Sequence, residues 1–229
     1  FFIQKEMKIG VFGTGSVGKT IASRLVGLGH EVKMGSRSAG GDKALAWVAD
    51  AGKLASEGTF SDAARFGDIL FNCTSGLGSL SALTMAGAEN LDGKILIDLA
   101  NPLDFSNGMP PSLSVCNTSS LGEQIQSEFP GLKVVKTLNT MWCGLMVNPG
   151  LVNGGDHSVF ICGNDPSAKE QVKKDILVAF GWNPSSIEDL GDITKSRGTE
   201  MYLPLWLSVY GAGGSGVFNV KVVRQEKSL

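Results

Sequence analysis

The sequence predicts an α/β fold: a doubly wound parallel sheet, followed by a small and mostly helical C-terminal segment. Two observations predict it. Short apolar runs alternate with stretches of helical periodicity from Lys8 to Thr137, and a glycine motif stands between the first strand and the first helix. Strands that alternate with helices form parallel sheets covered on both faces. Because crossover connections are right-handed, a doubly wound sheet is the expected result.

The first strand and helix form a nucleotide-binding turn. Lys8–Phe12 is a short apolar run bounded by glycine, typical of a buried parallel strand. A G-x-G-x-x-G motif follows, in which the glycines permit a tight turn, approach of a pyrophosphate and close helix packing. A helix from Ser16 to Gly29 offers its N-terminal amides to that anion. A plain glycine turn is the alternative, and the flanking strand and helix argue against it. The motif residues are Gly13, Thr14, Gly15, Ser16, Val17 and Gly18.

The end of the second strand, Glu31–Met34, predicts which dinucleotide binds. NAD sites carry Asp or Glu there to accept from the ribose 2′-hydroxyl, whereas this chain has Ser36, Arg37 and Ser38. Serine hydroxyls and a guanidinium suit a 2′-phosphate. We therefore predict NADP(H) in a Rossmann-type site. The alternative is a solvated Arg37 in a polar loop.

The alternation continues along the chain. The next strands are expected at 58–60, 68–74, 94–98, 133–137 and 158–162, and further extended segments at 187–190 and 217–223. Helices are expected at 42–51, from Ser61 to Gly67, at 81–88, from the capping-box residue Ser120 to 129, at 165–180 and at 193–210. A composition shift at 148–156 predicts a boundary between an NADP-binding domain, 7–150, and a substrate or dimerisation segment, 151–229.

Ligands of such sheets bind beyond the carboxyl ends of the strands. The later strand tips therefore complete the predicted cofactor site, although ordinary turn chemistry also favours Gly, Ser, Asn and Pro. The predicted tip residues are Thr74, Ser75, Gly76, Ala100, Asn101, Pro102, Asn139 and Thr140. In the C-terminal segment, Trp206 and its aromatic neighbours either line a flat-ligand pocket or form a core or dimer interface, and we favour the second.

Composition excludes several classes of protein. A net charge of −2 and a pI near 5.7 give no basic field for nucleic acid or an anionic membrane, and the apolar runs are too short to span a bilayer. The four cysteines form no C-x-x-C pair, so neither a disulfide framework nor a metal site is expected. The N-terminus does not resemble a secretory signal, and we expect a cytoplasmic protein that starts at Met7, with 1–6 as an extension. His30 and His157 are expected to be structural.

The segment MKIGVFGTGSVGKTIASRLVGLGHEV, followed by GSRS, resembles the NADP-binding half of oxidoreductases that depend on coenzyme F420, a deazaflavin. LFNCTSG, KILIDLANPLDF, VVKTLNT and SVFICGND follow in the family's order. That family is similar in fold to the NADPH-binding cytoplasmic domains of membrane metalloreductases. The resemblance implies that Thr14, Ser36 and Arg37 hold NADP, and that the protein is a homodimer. It also implies direct hydride transfer between the nicotinamide and the deazaflavin, which needs no catalytic side chain.

The chain departs from the family at two tips. SGLGS lacks the Pro and aromatic residues of deazaflavin-using members, and Asn139 stands where some members have His. The acceptor is therefore coenzyme F420, a flavin, a quinone or another small molecule. An NADP-binding redox sensor without catalysis is the alternative. A reductase of imines or hydroxy acids is a third hypothesis, but it usually needs a Lys, His or Tyr acid, for which the sequence shows no strong candidate.

Overall fold

A computed structural model describes residues 6–225 of the chain, so that most of the predicted extension, 1–6, lies outside the described residues. The main sheet is built from strands β1 (Lys8–Phe12), β2 (Glu31–Ser36), β3 (Ala55–Thr59), β4 (Ile69–Asn72), β5 (Ile95–Asp98), β8 (Lys133–Thr137), β9 (Val159–Gly163) and β10 (Ile187–Asp189). Strands β6 (Leu103–Asp104) and β7 (Ser112–Leu113) form a separate antiparallel hairpin.

The helices are α1 (Ser16–Gly27), α2 (Asp42–Ala51), α3 (Phe60–Phe66), α4 (Gly76–Ala86), α5 (Ala88–Leu91), α6 (Leu121–Glu128), α7 (Cys143–Met146), α8 (Pro166–Val172), α9 (Val178–Phe180), α10 (Ser196–Met201) and α11 (Leu203–Gly213). A π-helical turn, Lys173–Leu177, joins α8 to α9. Short 3-10 turns lie at Pro149–Leu151, Asn153–Gly155, Pro184–Ser186 and Ile193–Lys195. Within residues 6–225, no helix has the length and apolar character that crossing a membrane requires.

The eight strands lie in the order β10-β9-β8-β5-β4-β1-β2-β3, which confirms the predicted doubly wound sheet. Successive residues of β4 point to opposite faces: Ile69 and Phe71 join one buried cluster, and Leu70 joins the other. Both faces are therefore covered, which is why the strands read as continuous apolar runs. The strand order reverses between β1 and β4, where Phe12 pairs with Asn72. Ligands of open α/β sheets bind at this reversal.

The sheet continues past residue 150. Strand β9 pairs antiparallel with β8, and β10 pairs parallel with β9, so the C-terminal segment contributes two strands to the same sheet. The division into units at 7–150 and 151–229 stays a prediction. The rest of the segment is mostly helical, as expected.

Several predicted elements are corrected. Helix α4 begins at Gly76, not at Ser81, because the glycine-rich tip folds into its first turn. Helix α3 begins at Phe60, one residue before the expected start at Ser61, and it is capped by Thr59, whose side chain accepts from the Asp62 amide. The helix expected at 193–210 is divided into separate helices between Met201 and Leu203, just before Pro204. Residues 217–223 form no strand. They run beside Ser158, whose amide donates a hydrogen bond to Val220 O at 2.9 Å.

Candidate functional site

The glycine motif folds as a turn in which each glycine has a separate role. Gly13 has a positive φ of 117°, and a Cβ there would lie 2.6 Å from Cys73 O. A Cβ on Gly18 would lie 2.1 Å from Gly13 O, so only glycine allows α1 to approach the turn this closely. A Cβ on Gly15 would meet nothing within 4 Å. Gly15 therefore faces open space, the cradle that a pyrophosphate would fill.

The N-terminus of α1 faces this cradle. Gly15 is its N-cap and offers no side chain to the first amides, and the first turn contains no Asp or Glu. The first amides of a helix have no partner within the helix, and the helix dipole favours an anion beside them. The arrangement suits the diphosphate of a dinucleotide.

The tip of β2 lies beside the glycine turn, and the amide of Gly13 donates to Gly35 O at 3.0 Å. Ser36 Oγ donates to Ser38 O at 2.7 Å, which folds the tip into a compact loop. Arg37 is exposed and forms no ion pair with any residue between 6 and 225. Glu57 on β3 accepts from the Gly40 amide at 3.1 Å, and sequence reasoning did not place this carboxylate near the loop.

The glycine turn and the β2 tip border a depression of about 480 Å³, here named the polar cavity. Eight predicted cofactor residues line it: Gly13, Thr14, Gly15, Ser36, Arg37, Ser38, Thr74 and Ser75. The opposite wall was not predicted and comes from α3, α4 and the β4 tip: Phe60, Cys73, Gly78, Ser81, Ala82 and Met85. Gly78 was missed because α4 starts earlier than its glycine-rich sequence indicates, whereas Ser81, Ala82 and Met85 lie within the expected helix but were not assigned to the site.

A second depression of about 620 Å³, here named the apolar cavity, shares Cys73, Thr74 and Ser75 with the first. Predicted residues on its wall are Val17, Thr74, Ser75, Gly76, Ala100 and Asn101. Sequence reasoning missed Cys73, Leu77, Leu99, Leu103, Asp104, Phe105 and Ser106, four of which lie in or beside strand β6. Burial raises the pKa of the Cys73 thiol, so the sulfur at the shared wall is a neutral thiol.

The remaining predicted site residues, Ser16, Gly18, Pro102, Asn139 and Thr140, line neither cavity. Asn139 instead holds Asn101: its Nδ2 donates to Asn101 Oδ1 at 2.9 Å, while Asn101 Nδ2 donates to Asn139 O at 2.8 Å. A Cβ on Gly76 would lie 2.0 Å from Asn101 O. The tips of β5 and β8 and the start of α4 are thus in close contact, and Gly76 and Asn101 are the two of these residues that line the apolar cavity.

A buried ionic cluster lies beneath the shared wall. Lys136 Nζ is 2.8 Å from Asp98 Oδ2 and 2.8 Å from Glu200 Oε1, and it also donates to Ala100 O. Glu200 accepts from the amides of Leu121 and Gly122 at 2.8 and 3.0 Å. Burial by itself would lower the pKa of Lys136, but the two carboxylates outweigh it and hold that pKa above its usual value. The lysine is therefore a permanent cation.

The histidines and the C-terminal aromatics have structural contacts. His157 Nε2 bonds Pro149 O at 2.9 Å, and its Nδ1 bonds Asn219 Nδ2 at 2.8 Å. Trp206 stacks between Tyr210 and Phe218, with ring centroids 5.4 Å apart on each side. The aromatic rings thus pack on one another, in keeping with the favoured interpretation as a core or interface.

Comparison with known proteins agrees with this geometry. The family model described as "NADP oxidoreductase coenzyme F420-dependent" matches residues 8–102. A protein of Arthrobacter sp. FB24, whose crystal structure carries a provisional assignment as an F420-dependent NADP reductase, is 51% identical. That match covers 95% of this chain and 100% of the other, with a TM-score of 0.90.

Two further relatives are more distant. Metalloreductase STEAP3 of Rattus norvegicus is 31% identical over 209 residues, which are 87% of this chain, and the chain spans 38% of that relative's length. A reductive aminase from Aspergillus terreus, solved with NADPH and ethyl levulinate, is 16% identical with a TM-score of 0.64 over 91% of this chain and 63% of its own, a likeness of fold alone. On the identity and full coverage of the Arthrobacter protein, the chain belongs to the coenzyme F420-dependent NADP oxidoreductase family and is an NADP-dependent oxidoreductase.

Proposed function

We propose that the chain transfers hydride between NADPH, bound across the polar and apolar cavities, and a flat acceptor of the deazaflavin or flavin type. The observation that carries the proposal is the junction of the two cavities at Cys73, Thr74 and Ser75. A dinucleotide has a highly charged end and a nearly neutral ring end. Two adjoining cavities of contrasting polarity, at the reversal of strand order, match that molecule.

The charged end of the cofactor suits the polar cavity. Arg37 has its guanidinium exposed, and the hydroxyl of Ser36 already faces inward to Ser38 O, so Arg37 and Ser38 are the groups best placed for a 2′-phosphate. Because a guanidinium bonds two phosphate oxygens in a fork, it would select NADPH over NADH. The open space at Gly15 accommodates the diphosphate.

The ring end and the acceptor suit the apolar cavity. Leu77 and Phe105, which both line this cavity, are 61% and 54% exposed, a large apolar surface for two side chains. A flat ring laid against them would remove that surface from water, which is favourable. Enclosure also excludes water from the path of the hydride.

The side chains of the site position the reactants, and we assign no proton transfer to any of them. Among residues 6–225, no His, Lys or Tyr lines either cavity. When bound, NADPH supplies a hydride from its nicotinamide ring, and the acceptor gains two electrons with that hydride and takes any further proton from solvent. The arrangement favours an acceptor that needs no side-chain acid over an imine or a hydroxy-acid precursor.

The homodimer implied by the resemblance, and the cytoplasmic location expected from composition, stay predictions. Helix α11 supports the first, since Leu205, Val209 and Tyr210 on it are 58%, 43% and 43% exposed. Sedimentation equilibrium of the purified protein would measure the mass of the assembly.

The test of the proposed function is rapid-mixing measurement of NADPH oxidation with coenzyme F420, riboflavin, a quinone and a ferric chelate as separate acceptors. We expect the deazaflavin or the flavin to react fastest. Phe105→Ala should raise the KM for that acceptor more than the KM for NADPH, because only the ring end of NADPH reaches the apolar cavity. Met109→Ala is the matched control, because Met109 is 69% exposed on the same loop and lines neither cavity. Tight NADPH binding without oxidation by any acceptor would contradict the proposal and favour a redox sensor.

A further inference from the structure

Thr74 occupies the wall that the two cavities share, directly after β4. Behind it lies a chain of buried polar side chains, Asn72, Ser79 and Asp98, each fully buried. In such a chain, the position of every proton is restricted by its neighbours. The direction of each hydrogen bond in this chain decides whether the Thr74 hydroxyl can donate a hydrogen bond to a ligand or can only accept one.

Asp98 sets the order at its inner end. Its Oδ1 accepts from the Ala100 amide at 3.1 Å and from Asn72 Nδ2 at 2.8 Å, while its Oδ2 faces Lys136 Nζ at 2.8 Å. Both oxygens of Asp98 thus face donor groups, so the carboxyl group acts as an acceptor on each side. Asn72 must therefore turn its NH₂ group toward Asp98, and its carbonyl oxygen toward Thr74.

Lys136 and Glu200 keep Asp98 in this state. Lys136 has three ammonium protons, and its three partners are Asp98, Glu200 and Ala100 O. Glu200, on α10, is held in turn by two amides of α6. Every donor and acceptor in this cluster already has a partner, so no other group competes with Asp98 for the ammonium group of Lys136.

The carbonyl of Asn72 then takes the proton of Thr74. Asn72 Oδ1 accepts from Thr74 Oγ1 at 2.7 Å, and more weakly from the Thr74 amide at 3.3 Å. Ser79 Oγ, 2.9 Å from Thr74 Oγ1, accepts from Asn72 Nδ2 and donates to Ser75 O. A threonine hydroxyl has one proton, and here it points away from the cavities. What Thr74 presents to a ligand is a lone pair.

We propose that Thr74 is a specificity residue that accepts a hydrogen bond from an N–H or O–H group of bound NADPH, and that Asn72 and Asp98 are positioning residues that orient it. The inference rests on the proposed placement of NADPH across the two cavities. At its nicotinamide end, the cofactor has two kinds of group with the required chemistry: the NH₂ of the carboxamide and a ribose hydroxyl.

The experiment compares the Kd of NADP⁺ for wild type, Thr74→Val and Thr74→Ser by isothermal titration calorimetry. Valine keeps the shape and removes the lone pair, so we expect a loss of about five- to tenfold, and serine should restore most of it. Thr84→Val is the matched control: Thr84 is exposed on α4 and donates to Leu80 O within the helix. The same series with the 3-acetylpyridine analogue of NADP⁺, which lacks the carboxamide NH₂, identifies the donor. A valine effect confined to NADP⁺ assigns the carboxamide, and an equal effect on both assigns a ribose hydroxyl.

Asn72→Ala tests the positioning role. Removal of the group that orients Thr74 should weaken NADP⁺, and the double variant with Thr74→Val should be no weaker than Thr74→Val alone, because both changes break one chain. Additive losses would show that Asn72 only supports the fold. If wild type binds NADP⁺ but Thr74→Val binds it equally well, the inference about Thr74 is overturned and the proposed function stands. If wild type binds no NADP⁺, the proposed function fails first.

Discussion

The two cavities meet at Thr74 but are built in different ways. The polar cavity takes most of its predicted residues from one stretch, 13–38, in which glycine geometry and a single cation define the wall. The apolar cavity takes its walls from helices α1 and α4, the β4 tip, the β5 tip and the β6 hairpin strand, with aliphatic and aromatic side chains among them. The polar cavity is thus made largely of backbone and charge. The apolar cavity, where we propose that the acceptor binds, is made largely of side chains.

The largest effect on stability is expected at the buried ionic cluster around Lys136, which lies beneath both cavities. Lys136→Met should leave Asp98 and Glu200 buried without their cation, which typically costs about 3–5 kcal/mol of folding free energy. The measurement is urea unfolding followed by circular dichroism. Lys133→Met on the same strand is the control, because its side chain is 40% exposed and its pairing with Asp165 is a surface contact. Similar losses of unfolding free energy in the two variants would show that the buried cluster does not stabilise the fold.

Next in size is the cation of the polar cavity. Arg37→Ala should weaken NADPH by about 1.5–3 kcal/mol, the value of a charge-assisted hydrogen bond. NADH, which lacks the 2′-phosphate, should be affected far less. Fluorescence titration with both cofactors measures the difference, and Lys43→Ala, an exposed lysine on α2, is the control. Equal losses for both cofactors would refute the role of Arg37.

The glycine turn offers a matched pair. Gly18→Ala should destabilise the fold by about 1–3 kcal/mol, since its Cβ would collide with Gly13 O. Gly15→Ala should cost at most about 1 kcal/mol of stability, the usual difference at a helix N-cap, yet weaken NADPH binding, because its Cβ enters the open cradle. Thermal unfolding and NADPH titration of both variants separate the two roles. Unchanged NADPH affinity in Gly15→Ala would place the diphosphate elsewhere.

The smallest effect concerns the far wall of the polar cavity, where Phe60 begins α3. Hydrogen bonds from Thr59, with Arg65 adding to them, lower the pKa of Asp62 to about 2. A carboxyl whose pKa is lower in the folded state stabilises it above the unfolded pKa and loses that contribution as pH falls. Because the Asp62 side chain is 37% exposed, we expect only a few tenths of a kcal/mol. The stability difference between wild type and Asp62→Asn, measured by urea unfolding over a range of pH, should vanish toward about pH 2.

The sequence predicted the backbone of the polar cavity well, because the information there is local. Strands β1 and β8 and helix α2 have the predicted bounds, and the glycine turn is as expected. The start of α4 was wrong because SGLGS has weak helix propensity; packing requires Gly76, where a Cβ would meet Asn101 O. Tertiary contact overrode local preference there.

The apolar cavity was harder to predict for a physical reason. Strands β6 and β7 have two residues each, too few to show a period. The link from Lys136 to Glu200 joins residues far apart in the chain, and no local pattern announces such a pair. The motif KILIDLANPLDF contained Asp98 and Phe105. Its spacing could not show that Asp98 is buried in an ion pair with Lys136, or that Phe105 lines the apolar cavity.

Glu200 has a consequence for how separable this nucleotide-binding unit is. A fragment that ends near residue 150 would retain Lys136 and Asp98 but lack the carboxylate that also caps α6, and it would leave β8 as an unpaired edge. Anyone who wishes to transplant the NADP-binding half onto another protein must therefore carry α10 with it, or redesign position 136. Helix α10, although it lies in the C-terminal segment, thus supplies a buried charge on which the nucleotide-binding sheet depends.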